Sequence, residues 1–98
     1  MAISNYEKVL EYVDTNPLIY YNVALAYEAN DEIDKAISNH LKAISVNQDF
    51  PHSYKNLGVL FLARGEQQDA KEYFEDYIKF DIPEEEKENI SKILKKLN

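Results

Sequence analysis

A shift of 34 residues lays this chain onto itself. Pro17, Tyr20, Asn22, Ala29, Glu32, Ala36 and Ile44 recur as Pro51, Tyr54, Asn56, Ala63, Glu66, Ala70 and Ile78. Between these identities the character of the residue is kept, as in Val23/Leu57, Ala24/Gly58 and Tyr27/Phe61. A fixed period of this length means that each unit is one supersecondary element, unable to bury its apolar face alone and completed by stacking. The feature constrains architecture more tightly than any motif or composition in the chain.

Each period holds two helical patterns. Asn16-Pro17 opens the first, because Asn can accept from the unpaired amides of a first turn and Pro suits the first helical position. Residues 18–29 then carry two apolar stripes, Tyr20, Val23, Ala24 and Tyr27 on one side and Leu18, Tyr21 and Leu25 beside it. One stripe suffices for a surface helix, so the second is expected to face a neighbour or a ligand. Asn30-Asp31 marks a turn, and residues 32–46 form the return helix with Ile33, Ala36, Ile37, His40, Leu41, Ala43 and Ile44 inward. The second period repeats this plan over 52–64 and 67–80, with Gly65 supplying the positive φ at the turn.

The flanking segments differ. Ile3, Tyr6, Val9, Leu10 and Val13 give residues 3–14 one apolar stripe, and Ala2-Ile3-Ser4-Asn5 repeats as Ala36-Ile37-Ser38-Asn39. The first helix therefore reads as the second half of a unit, either a half-unit cap or the trace of a longer array. Residues 84–97 carry a single stripe, Ile90, Ile93, Leu94 and Leu97, with Glu84, Glu85 and Glu86 at the start and Lys95-Lys96 at the end, matching the helix dipole. One apolar and one wet face is what the end of a stack requires, so this segment is expected to be a capping helix.

Two helices per period, an aromatic, a large–small pair, a second aromatic and later small residues together resemble the tetratricopeptide repeat. The residues that carry the resemblance are Tyr20, Val23, Ala24, Tyr27, Ala36 and Ala43, then Tyr54, Leu57, Gly58, Phe61, Ala70 and Phe74. Two departures are visible: His40 stands where the family has an aromatic, and Tyr77 stands where it has a small residue. The resemblance implies an all-α, right-handed α-solenoid of antiparallel helix hairpins, with about six helices in this chain. The expected organisation is a single domain over 1–98: a half-repeat at 2–16, repeats at 17–50 and 51–84, and a capping helix at 85–98.

Composition excludes several functions. The net charge is −7, the wrong sign for a nucleic acid or an anionic membrane surface, so neither is expected as a partner. There is no cysteine, hence no disulfide, thiol nucleophile or thiolate metal site, and the compartment leans to the cytoplasm. His40 and His52 are the only histidines, and their spacing gives no reason to join them in a metal or catalytic site. The acidic runs Glu84–Glu86 and Glu72, Glu75, Asp76 read as solvated helix faces. No phosphate loop or nucleophile motif is present. No catalysis, cofactor or metal is expected.

What remains is binding. The resemblance implies a concave groove lined by the first helix of each unit, and in this chain the residues so placed are Leu18, Tyr21, Asn22, Leu25 and Glu28, then His52, Lys55, Asn56, Val59 and Leu62. Tyr21, Asn22, Leu25, Lys55, Asn56, Val59 and Leu62 form the candidate peptide-binding set, with Tyr21 and Lys55 as large amphipathic contacts. Some relatives clamp acidic C-terminal peptides with Lys and Asn. Tyr21 and Leu25 occupy places where such a clamp needs those residues, so the expected partner is a protein or peptide segment of apolar or basic character. The alternative is self-association, a homodimer completing the stack through the N-terminal helix, since two full units are fewer than the roughly three usually needed.

Overall fold

The computed structural model describes residues 16–97, and every described element is a helix. They are α1 (Pro17–Ala29), α2 (Ile33–Val46), α3 (Pro51–Ala63), α4 (Gln67–Tyr77) and α5 (Glu84–Leu97). The expected helix at 3–14, the half-repeat and the dimer contact assigned to it lie outside the described residues. The all-α class and the paired-helix plan are as the repeat implies.

The turns show why the period holds. Asn16 caps α1, its Oδ1 accepting from the Leu18 amide at 3.0 Å, with Pro17 at the first helical position. At the end of α1 the Glu32 amide donates to Tyr27 O at 2.9 Å and the Asp31 amide to Glu28 O at 3.1 Å, with Asp31 at φ 58°. At the end of α3 the Glu66 amide donates to Phe61 O at 2.9 Å and the Gly65 amide to Leu62 O at 3.0 Å, with Gly65 at φ 81°. This is one closing motif built twice, 34 residues apart: paired reverse bonds satisfy the orphan carbonyls, and one left-handed residue turns the chain back.

The chain divides into two compact units, Met1–Ser53 and Tyr54–Asn98. In the first, α1 packs along α2 and buries Tyr20, Val23, Ala24, Tyr27, Ala36 and Ala43, with Phe50 closing the cluster around Tyr20 and Ala43. In the second, Ala70, Phe74, Tyr77 and Ile90 form the core, joined by Tyr54, Phe61, Ile93, Leu94 and Leu97. Of the stripe on α5, Ile90 is buried and Ile93, Leu94 and Leu97 are half-buried against this core, while Lys92, Lys95 and Lys96 are exposed. Gly58 is required where it stands: a Cβ there would lie 2.6 Å from the ring of Phe74. The helix expected over 67–80 ends at Tyr77; the Phe80 amide bonds back to Tyr77 O and the Ile82 amide to Phe80 O, so tight turns replace its last residues ahead of Pro83.

Candidate binding surface

In the first unit the second stripe of α1 is split between surface and packing. Leu18 is 47% exposed and Leu25 37%, with Asn22 exposed between them. Tyr21 is half-buried, its ring 5.6 Å from those of His40, Phe50 and His52. Spacing alone gave no link between the two histidines, yet both meet at Tyr21. His52 is exposed and its ring also lies 4.8 Å from Phe50. Tyr21 is therefore anchored by aromatic packing and presents only part of its ring outward.

Glu28 does not offer itself to a ligand. Its Oε2 accepts from His40 Nε2 at 2.9 Å, while His40 Nδ1 lies 3.1 Å from Ser53 Oγ. A carboxylate only accepts, so Nε2 carries the proton and Nδ1 accepts from the Ser53 hydroxyl. Serine, histidine and carboxylate in a row is the connectivity of a nucleophilic triad. Here Ser53 and His40 are both fully buried, so no substrate carbonyl reaches Oγ, and the row acts as an internal polar tie. Burial pushes the His40 pKa below that of an ordinary histidine, with the Glu28 carboxylate pulling the other way. Ser53 escaped sequence reasoning because nothing in the repeat marks it: its partner in the first unit is Ile19.

In the second unit Val59 is 49% exposed, Asn56 is half-buried, and Leu62 packs partly against the Phe74 core. Lys55 is not idle: its ammonium pairs with the Glu86 carboxylate of α5. The same Glu86 Oε1 accepts from the Tyr77 hydroxyl at 3.2 Å. The Lys55 hydrogen bond holds the Glu86 carboxyl below the usual range, while burial, helped by the Glu86 charge, pushes the Tyr77 hydroxyl up to about 12. Glu84 and Glu85 are exposed as expected of a solvated first turn, but Glu86 is drawn inward. A cavity of about 460 Å³ opens here, lined by Lys55, Tyr77, Pro83, Glu85, Glu86 and Asn89.

Among the described residues no group of three or more His, Asp or Glu side chains could hold a metal ion, and no helix is long and apolar enough to cross a membrane.

A family model for YpiA-like, C-terminal tetratricopeptide repeats matches residues 17–85. The chain belongs to the tetratricopeptide-repeat family. Among curated relatives it is 35% identical over 68 residues to the photosystem I assembly protein Ycf3 of Synechococcus sp. (strain WH7803), covering 65% of this chain and 39% of the relative. It is 30% identical over 74 residues to the small glutamine-rich tetratricopeptide repeat-containing protein 2 of Saccharomyces cerevisiae, covering 76% of this chain and 21% of the relative. The chain thus spans well under half of these relatives. Among solved structures it is similar to the first tetratricopeptide repeat of Spaghetti (RPAP3) bound to the HSP90 peptide SRMEEVD, with a TM-score of 0.75 and 26% identity over 95% of this chain and 79% of that one. It is also similar to the MamA protein, at TM-score 0.74 and 29% identity over 80% of this chain and 43% of that one.

Proposed function

We propose that this chain is a non-catalytic protein-interaction module whose first helices, α1 and α3, take up a peptide segment of a partner protein. One observation carries the reading: of the four large hydrophobic side chains exposed among the described residues, Leu18, Leu25 and Val59 lie on these two helices, and only Leu41 lies elsewhere. Tyr21, Asn22, Leu25, Lys55, Asn56, Val59 and Leu62 are the contact set. Apolar and amide groups on each helix suit an extended or helical segment, with the apolar side chains supplying affinity and the amides pairing with its backbone. The Spaghetti repeat that this chain resembles holds a peptide, and a Ycf3 relative is an assembly protein, both in keeping with a scaffold role.

The test is capture of partners by the full chain, followed by affinity measurement with Leu25→Asp and Val59→Asp. Both residues are exposed, so the fold is retained; affinity is expected to fall at least about tenfold where a charge is forced against an apolar contact. Unchanged affinity for a partner bound by the unaltered chain would sink the assignment.

A further inference from the structure

We propose that Glu86 sets the charge preference of the binding surface at α3, so that the cavity beside Lys55 takes a cationic side chain of the partner and turns away a carboxylate. The inference rests on the peptide-binding reading above and names the chemistry of the occupant.

Lys55 is the one basic residue in the candidate set, and on sequence alone it would draw an acidic segment. In the fold its ammonium is paired with Glu86, a residue 31 positions later, delivered by the first turn of α5. The Tyr77 hydroxyl donates to the same carboxylate oxygen, and Tyr77 is itself only 7% exposed, so the carboxylate is held from two sides. An incoming carboxylate would have to displace Glu86 from Lys55 and leave that charge beside Glu85, also on the cavity wall. Charge complementarity favours the opposite sign: the wall carries two carboxylates against one ammonium, with the Asn89 amide alongside. The Glu86 side chain is about one-quarter exposed and can be reached from solvent. A guanidinium or ammonium could share Glu86 with Lys55 and engage Glu85 without breaking the pair. With its carboxyl held below the ordinary range, Glu86 stays charged throughout the neutral pH range.

The experiment uses the full chain and two labelled peptides in fluorescence polarisation: SRMEEVD, the peptide held by the similar Spaghetti repeat, and SRMKKVK, in which lysine replaces each of its three acidic residues. The unaltered chain is expected to bind the basic peptide about fivefold more tightly, the scale of one partly exposed charge contact, and the gap should shrink as salt is raised. Glu86→Gln is expected to narrow the gap and Glu86→Lys to reverse it. Lys55→Met, which leaves both carboxylates unopposed, is expected to widen it, and serves if the Glu86 variants fail to fold. Equal or tighter binding of SRMEEVD by the unaltered chain overturns the proposal. So does a gap that none of the variants moves, or failure of both peptides to bind at all. Partner binding that depends on Leu25 and Val59 could still stand after any of these results, so the two readings fail separately.

Discussion

The hairpin of α1 and α2 and the hairpin of α3 and α4 close with the same backbone bonds but fill the space between their helices by different chemistry. In the second, Phe74 is fully buried and presses on Gly58, where even a methyl group would collide with its ring. In the first, the corresponding residues are His40 and Ala24. A smaller ring accompanies a larger partner, so the filling is shared between the two positions. The exchange has a consequence. Phe74 needs only apolar neighbours, whereas buried His40 needs hydrogen bonds, and Glu28 and Ser53 supply them. The first unit therefore holds a polar network inside a motif whose second copy is apolar. A cation lies over the second aromatic of each unit as well, Lys35 over Tyr27 and Arg64 over Phe61, but it comes from a different place in the register each time.

The largest way to break the comparison is Phe74→Ala. Removing a fully buried aromatic is expected to cost about 3–5 kcal/mol, read as a fall in the urea midpoint. His40→Ala should cost about 2–3 kcal/mol, because it strands two hydrogen-bonding partners as well as losing the ring. It should also abolish a pH dependence found in the unaltered chain. Burial holds the folded-state pKa of His40 below that of the unfolded chain, so the unfolded state binds more protons. Stability contributed by neutral His40 is therefore complete above about pH 6.5 and declines as pH falls below it. A midpoint that stays flat from neutral to mildly acid pH in the unaltered chain would contradict this.

Gly58→Ala sharpens the point about shared volume. In an exposed helix this change helps by about 1 kcal/mol. Here the clash with Phe74 should outweigh the gain and leave a net loss of about 1–2 kcal/mol. In a Phe74→Leu background the same change should become neutral or favourable, and a double-mutant cycle measures the coupling. The smallest effect concerns the turns. Asp31 and Gly65 occupy the same left-handed position, at φ 58° and 81°. Asp31→Gly should stabilise by about 0.5–1 kcal/mol and Gly65→Ala destabilise by a similar amount, seen as thermal-midpoint shifts of a few degrees in opposite directions.

Much of this plan was legible in the residues. The Asn16 cap, the turn at Asn30-Asp31 and the glycine at 65 all rest on contacts within a few residues, which local preference governs. Leu18 and Leu25 fall on a second stripe by period, Val59 joins them through the family resemblance, and all three are exposed. Tyr21 reads from the sequence as a large amphipathic contact; in the fold its ring meets three others, one of them that of Phe50 in the α2–α3 connection. Glu86 belongs to a run whose sequence reads as solvated, and of its three members Glu84 and Glu85 are exposed while Glu86 is drawn inward.

The sequence by itself determined the paired-helix plan, its period, the turn chemistry and most of each apolar stripe, with Leu41, read as inward, lying exposed instead. These follow from a rise and rotation per residue that every helix shares, and from caps that act within one turn. Only the tertiary structure decided who pairs with whom: His40 with Glu28 and Ser53, and Lys55 with Glu86 and Tyr77. Such pairs hold only when donor and acceptor sit about 3 Å apart at a favourable angle. That tolerance is finer than any spacing along the chain can convey, because it depends on how the helices lie against one another.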